Sequence, residues 1–80
     1  MCLGVPAEIV ELLDDYQAVV DVNGNTVTVS VMLTPEAEVG QYVLVHAGFA
    51  MQIVEKEEAR ESMELLLEMQ RIRESYQDER

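Results

Sequence analysis

The chain changes its periodicity once, and that change divides it into two kinds of structure. Up to Val54, apolar residues come in short runs broken by turn residues; from Lys56 they recur every three or four positions. Alternation marks a half-buried strand, and the longer spacing marks a helix with one apolar face. Thr26 to Val31 alternates without error, with Val27, Val29 and Val31 on one face and Thr28 and Ser30 on the other. Glu8 to Leu13 and Gln17 to Val22 read as two earlier strands, the first ending at the turn signal Asp14-Asp15. Asn23-Gly24-Asn25 is a hairpin turn, because Asn and Gly tolerate positive φ. Tyr42 to His46 and Phe49 to Val54 are two further strands separated by Ala47-Gly48. Thr34-Pro35-Glu36-Ala37-Glu38 reads as a polar connection with room for one short helical turn. Five strands at this spacing predict a mainly β fold. It is a small OB-like antiparallel β-barrel over residues 1–54, with a C-terminal amphipathic α-helix over 55–80 in the same single domain.

In the helix, Ala59, Met63 and Leu66 share one apolar stripe, followed by Leu65, Met69, Ile72 and Tyr76. Charged residues occupy the other side, and Glu68 and Arg71 are spaced to pair. No Ser, Thr, Asp or Asn directly precedes the helix, so its N-cap reads as weak. Running to about Gln77, it would be ~33 Å long, more than a barrel of some fifty residues is wide. The first half is therefore predicted to pack on the barrel and the second half to project or meet a partner. Ala59, Met63 and Leu66 are expected as core. Met69, Ile72 and Tyr76 fit core or a partner-binding face equally well.

Eighty residues, about half of them apolar, suit one domain near the lower size at which a core holds without staples. A single cysteine excludes a disulfide scaffold and fits a reducing, cytoplasmic compartment. There is no signal-peptide pattern and no apolar run of the ~20 residues that span a bilayer. Sixteen acidic residues face five basic ones, and none of the basic ones precedes Lys56. Such a surface repels phosphates and anionic lipids, so neither nucleic acid nor a membrane is an expected partner. It suits solubility and docking onto a surface of opposite charge.

Chemistry has few places to sit. Cys2 follows the initiator methionine, and removal of Met1 would leave an amine and a thiol on one terminal residue. Gly4 permits a tight backbone path and Pro6 fixes φ, so the lead Leu3-Gly4-Val5-Pro6 is expected to aim that thiol. His46 is the sole histidine and the only imidazole available as base or ligand. Cys2 and His46 could share a metal, or act as nucleophile and base in a thiol-based redox enzyme or sensor. A plain acidic interaction barrel with an incidental thiol is the third reading. The residues alone leave the three open.

Two blocks narrow the choice. Met1-Cys2-Leu3-Gly4-Val5-Pro6, together with Val39-Gly40-Gln41-Tyr42-Val43-Leu44-Val45-His46-Ala47-Gly48-Phe49-Ala50-Met51, resembles the HypC/HybG/HupF family. These are small chaperones for the maturation of nickel–iron hydrogenases. The resemblance spans essentially the whole chain, and Glu57-Glu58-Ala59-Arg60 is similar to the family's helix start. It implies an OB-like barrel with a C-terminal helix and no enzymatic activity. It also implies that the protein binds a HypD-type iron–sulfur protein, helps assemble an Fe(CN)2(CO) group, and delivers it to the hydrogenase large-subunit precursor. The iron would be transient, with no permanent cofactor. By this resemblance Cys2 supplies a thiolate to iron, a soft donor suited to low-spin iron, and His46 supports the site. Cys2, Leu3, Gly4, Val5, Pro6, His46, Gly48 and Phe49 would meet partners, joined by Met69, Ile72 and Tyr76 of the helix.

Overall fold

The structure, a computed structural model, describes the backbone of residues 4–78 and the side chains of residues 4–75. Five strands precede one helix: β1 (Val5–Leu13), β2 (Gln17–Val22), β3 (Asn25–Ser30), β4 (Tyr42–His46), β5 (Phe49–Val54) and α1 (Lys56–Asp78). The strands close into a barrel in the order β1-β2-β3-β5-β4. A mainly β, OB-like antiparallel barrel with a C-terminal helix was expected, and the structure has that architecture. Four seams are antiparallel and the fifth, β3 to β5, is parallel. The reason is parity: a ring with an odd number of strands cannot alternate direction all the way round. That closing seam is also the shortest, with the single register pair Ser30 and Phe49 and a Ser30 N–H to Gly48 carbonyl bond of 2.9 Å.

β1 begins at Val5, three residues before its expected start, and so contains Pro6. Ile9 turns both its N–H and its carbonyl toward the β4 side, to Gln41 and Gly40 at 2.9 Å each. Alternation therefore turns the Pro6 nitrogen away from β4, toward the side where β2 pairing starts only at Glu8. Proline removes no ladder bond there. β1 pairs with β4 along Val5–Glu8 and with β2 along Glu8–Leu13, and the register slips between Ile9 and Glu11. That bulge bends one strand across both neighbours.

The core is narrow and made of small residues. Ala7, Ile9, Ala18, Val20, Val29, Val43 and Ala50 point inward, with Val31 and Ala37 closing one end. Ile9, Val20 and Val43 are fully buried, each contributing roughly 1.5–3 kcal/mol by leaving water. The connection between β3 and β4 forms turns and contains no helix. It is less polar in effect than its composition suggested, because Thr34 and Ala37 are buried. The Thr34 hydroxyl donates to the Ala50 carbonyl at 3.4 Å, which lays the connection along β5. Val27 departs from expectation: it lies opposite the fully buried Val20, yet is 48% exposed. β5 pairs with β3 only at Ser30, so among the described residues no strand covers this stretch of wall.

The helix start is capped by a device that a search for small polar residues misses. The Glu55 N–H donates to the Glu58 carboxylate at 3.2 Å, the backward half of a capping box. Glu57 and Glu58 in the first turn also suit the positive end of the helix dipole. Ala59 is buried and Met63 and Leu66 are half-buried against the barrel, whereas Leu65, Leu67, Met69 and Ile72 are exposed. The expected division between a packed first half and a projecting second half therefore holds for the described residues. It also explains dimensions of 47 × 25 × 22 Å. Among the described residues, no helix is long and apolar enough to cross a membrane.

Candidate functional site

The residues of interest gather at one end of the barrel. β1 starts there, and both two-residue hairpins, Asn23-Gly24 and Ala47-Gly48, turn there. The register of β1 against β4 pairs Val5 with Val45 and Pro6 with Leu44. Continued by one residue, it sets Gly4 opposite His46. A side chain at Gly4 has no room: a Cβ there would stand 2.8 Å from the Leu44 Cβ. Gly4 is thus required by close approach, since its φ is not in the left-handed region. The role of Leu44 was not legible in the sequence, because it depends on two strands meeting across forty residues of chain.

His46 ends β4 and is exposed. Val43 is buried and Val45 half-buried on the inner face of β4, which leaves Tyr42, Leu44 and His46 on the outer face as their alternation predicts. Immediately after His46, Ala47 has φ 57° and Gly48 φ 85°. A two-residue hairpin of this hand needs positive φ at both central positions. Gly48 adopts it freely, whereas Ala47 is strained there, by an amount of order 1–2 kcal/mol. The signal for this was present in the sequence, since a strand-Ala-Gly-strand spacing leaves room for only two loop residues. Gly48 also holds the barrel seam through its carbonyl, and Phe49, 40% exposed, pairs with both His46 and Ser30.

The other expected partner-binding residues lie nearby or further out along the helix. Val5 shares a groove of about 510 Å³ with Val22, Met63, Leu66 and Met69. Ile72 is 48% exposed and does not line that groove. Leu65, Met69 and Ile72 repeat the spacing of Ala59, Met63 and Leu66 six residues later, about 120° further round the helix. Cys2 and Leu3 lie outside the described residues, as does the side chain of Tyr76. The structure therefore brings Gly4, Val5, Pro6, His46, Gly48 and Phe49 to one barrel end, sets Met69 beside Val5, and leaves Ile72 apart. Among the described residues, no group of three His, Cys, Asp or Glu side chains is arranged to hold a metal ion.

Electrostatic shifts fall away from this end. The Arg60 guanidinium bonds Glu57 and, at 2.8 Å, Glu64; it holds the Glu57 carboxyl below its ordinary range, while Glu57 and Glu64 raise Arg60 in return. Arg71 pairs with Glu68, as their spacing predicts. All three pairs are solvent-exposed and hold the helix surface, not the site.

The HupF/HypC family profile matches residues 1–66. A hydrogenase maturation factor HypC from Cupriavidus necator is 44% identical over 72 residues, 90% of this chain and 80% of its own length. The protein of the same description from Azotobacter chroococcum is 42% identical over 77 residues, 96% of this chain and 92% of its own. One from Escherichia coli K12 is 41% identical over 75 residues, covering 86% and 82%. The matched region runs from the N-terminal lead through the His46 hairpin to the packed half of the helix, and the chain is a member of the HupF/HypC family.

Proposed function

We propose that this protein is a hydrogenase maturation chaperone that carries an Fe(CN)2(CO) group as cargo, with the Cys2 thiolate as its iron ligand. The reading rests on family membership and on relatives described as hydrogenase maturation factors. The observation that carries the site is the β1–β4 register, which sets Gly4 opposite His46. Cys2 is two residues from Gly4, a covalent tether of at most about 7.6 Å between Cα atoms. A thiolate at that reach and an imidazole at the strand end can face the same small cargo. Thiolate is the softer donor and takes the iron, while the imidazole donates a hydrogen bond to the cyanide side of the group. With one tethered thiol and one imidazole the chain offers too few donors to enclose iron. It suits a carrier that releases what it holds, and an accessory protein more than a catalyst. The cargo is assembled on a HypD-type iron–sulfur protein and passed to the large-subunit precursor in the cytoplasm.

The test is infrared spectroscopy of the protein co-purified with its partners. Cyanide and carbonyl bands are expected with the native chain and absent with Cys2→Ala, while far-UV circular dichroism stays unchanged. Undiminished bands in Cys2→Ala would overturn the assignment. His46→Gln is expected to weaken or shift the bands without abolishing them. Alkylation of the isolated protein by iodoacetamide at the rate of free cysteine is expected, because a ligand role needs no activated nucleophile.

A further inference from the structure

The barrel wall is incomplete beside β3, and the missing piece has the shape of a strand. In β3, Ser30 turns its N–H outward to the Gly48 carbonyl. Alternation turns the N–H and carbonyl groups of Thr28 and Thr26 the same way, whereas Asn25, Val27 and Val29 bond β2. Because β3 and β5 run parallel and pair only at Ser30 and Phe49, the stretch Thr26–Thr28 passes beyond the start of β5 and has no strand neighbour on that side among the described residues. Two donors and two acceptors therefore form an open edge. Independently, Val27 faces the barrel interior opposite the fully buried Val20 and is still 48% exposed.

Edges of this kind are normally protected by a lysine, a proline, a bulge or an inward-pointing charge. β3 reads Asn25-Thr26-Val27-Thr28-Val29-Ser30 and has none of these. It pairs with β2 residue by residue without a slip. Its composition is that of a paired strand in the middle of a sheet.

We infer that the Thr26–Thr28 edge of β3 is a docking site for an extended, basic segment of a partner protein, which adds to the barrel as a further strand. The backbone of the segment satisfies the outward groups of Thr26 and Thr28, and an apolar side chain on its inner face covers Val27. The basic character follows from charge: residues 1–54 carry seven acidic side chains and no lysine or arginine, so a cationic strand is drawn to this wall. The same charge opposes a second copy of this chain pairing edge to edge. The inference is independent of the iron-carrying role, because Cys2 and His46 take no part in it.

The probe is the capped heptapeptide acetyl-Lys-Val-Thr-Val-Lys-Val-Lys-amide, titrated to about 1 mM, which half-fills even a millimolar site. Amide hydrogen exchange is read by NMR on the full chain. Exchange at Thr26 and Thr28 is expected to slow at least about twofold at half occupancy, with Val27 and Val29 unchanged because β2 already protects them. The same peptide N-methylated at every residue keeps its side chains, loses its donors, and is expected not to bind. Thr28→Pro is expected to abolish binding while leaving the β2–β3 ladder protected, and Thr28→Val to preserve binding. Absence of binding, or binding that leaves Thr26 and Thr28 exchanging as before, overturns the proposal. So does protection that rises with protein concentration when no peptide is present, which would assign the edge to a second copy.

Discussion

Two hairpin turns stand at the same end of the barrel with nearly the same backbone, and they are made from different residues. Asn23 and Gly24 have φ of 51° and 95°; Ala47 and Gly48 have 57° and 85°. In the first, Asn is suited to the left-handed region, and the Asp21 carboxylate accepts the Gly24 N–H at 3.0 Å. The second has alanine in the strained position and no such brace among the described residues. Ordinary turn chemistry would place Asn or Gly at position 47. Strain kept next to a candidate ligand such as His46 suits a segment selected for what it presents more than for its stability. The difference suits a first hairpin that serves the fold and a second that serves the candidate site.

The sharpest way to separate strain from crowding is Gly4→Ala. Its Cβ would stand 2.8 Å from that of Leu44, so a loss of about 1–3 kcal/mol is expected in urea unfolding. Leu44→Gly in the same chain removes that Cβ and should return part of the loss; simple additivity of the two changes would place the cause elsewhere. Gly24→Ala and Gly48→Ala meet no atom within 4 Å. Each should cost about 1–2 kcal/mol through backbone conformation alone, and unequal midpoint shifts would break the equivalence of the two turns. The reciprocal exchange is smaller and of opposite sign: Asn23→Ala should destabilise and Ala47→Asn stabilise, each by about 0.5–1 kcal/mol. If Ala47→Asn raises Tm while weakening the infrared bands of the cargo, the strain belongs to function. If the bands are untouched, it does not.

The smallest effect lies away from both turns. Arg60 holds the Glu57 carboxyl below its ordinary range, so the stabilisation this pair gives is complete above the unfolded carboxylate value of about 4.3. It is lost as pH falls through the lower folded value. Acid titration followed by far-UV circular dichroism should show a slight loss of helix in that window. Glu57→Gln should remove this loss and leave both hairpins as they were.

How much of this was legible depends on whether the cause is local. Alternation along Val27, Val29 and Val31 and the helical stripe of Ala59, Met63 and Leu66 report local geometry, and the elements formed where those patterns lie. Asn23-Gly24 announced its turn for the same reason. The start of β1 was missed because proline discourages a strand reading, and only the orientation of its nitrogen relative to β4 makes Pro6 harmless. Val27 was expected to be covered, because its covering depends on where β5 runs and not on its own neighbours. At the site, Cys2 and His46 stood out as the only residues of their kinds. The fit of Gly4 against Leu44 required the barrel to be closed, and the strain at Ala47 required the loop length to be known.

The ladder that joins Val5 to Val45 has a kinetic consequence. Hairpins β2–β3 and β4–β5 each close a loop of two residues, whereas the β1–β4 ladder joins segments separated by most of the barrel's sequence. Loop-closure entropy delays such distant pairings, so the hairpins form early and this ladder late. The Gly4–His46 end is therefore among the last parts of the barrel to assemble and, on the way out, among the first to part. A cargo gripped from both strands would act as a latch across that last rung. With the proposed cargo bound, the protein should unfold more slowly than without it, its refolding rate almost unchanged.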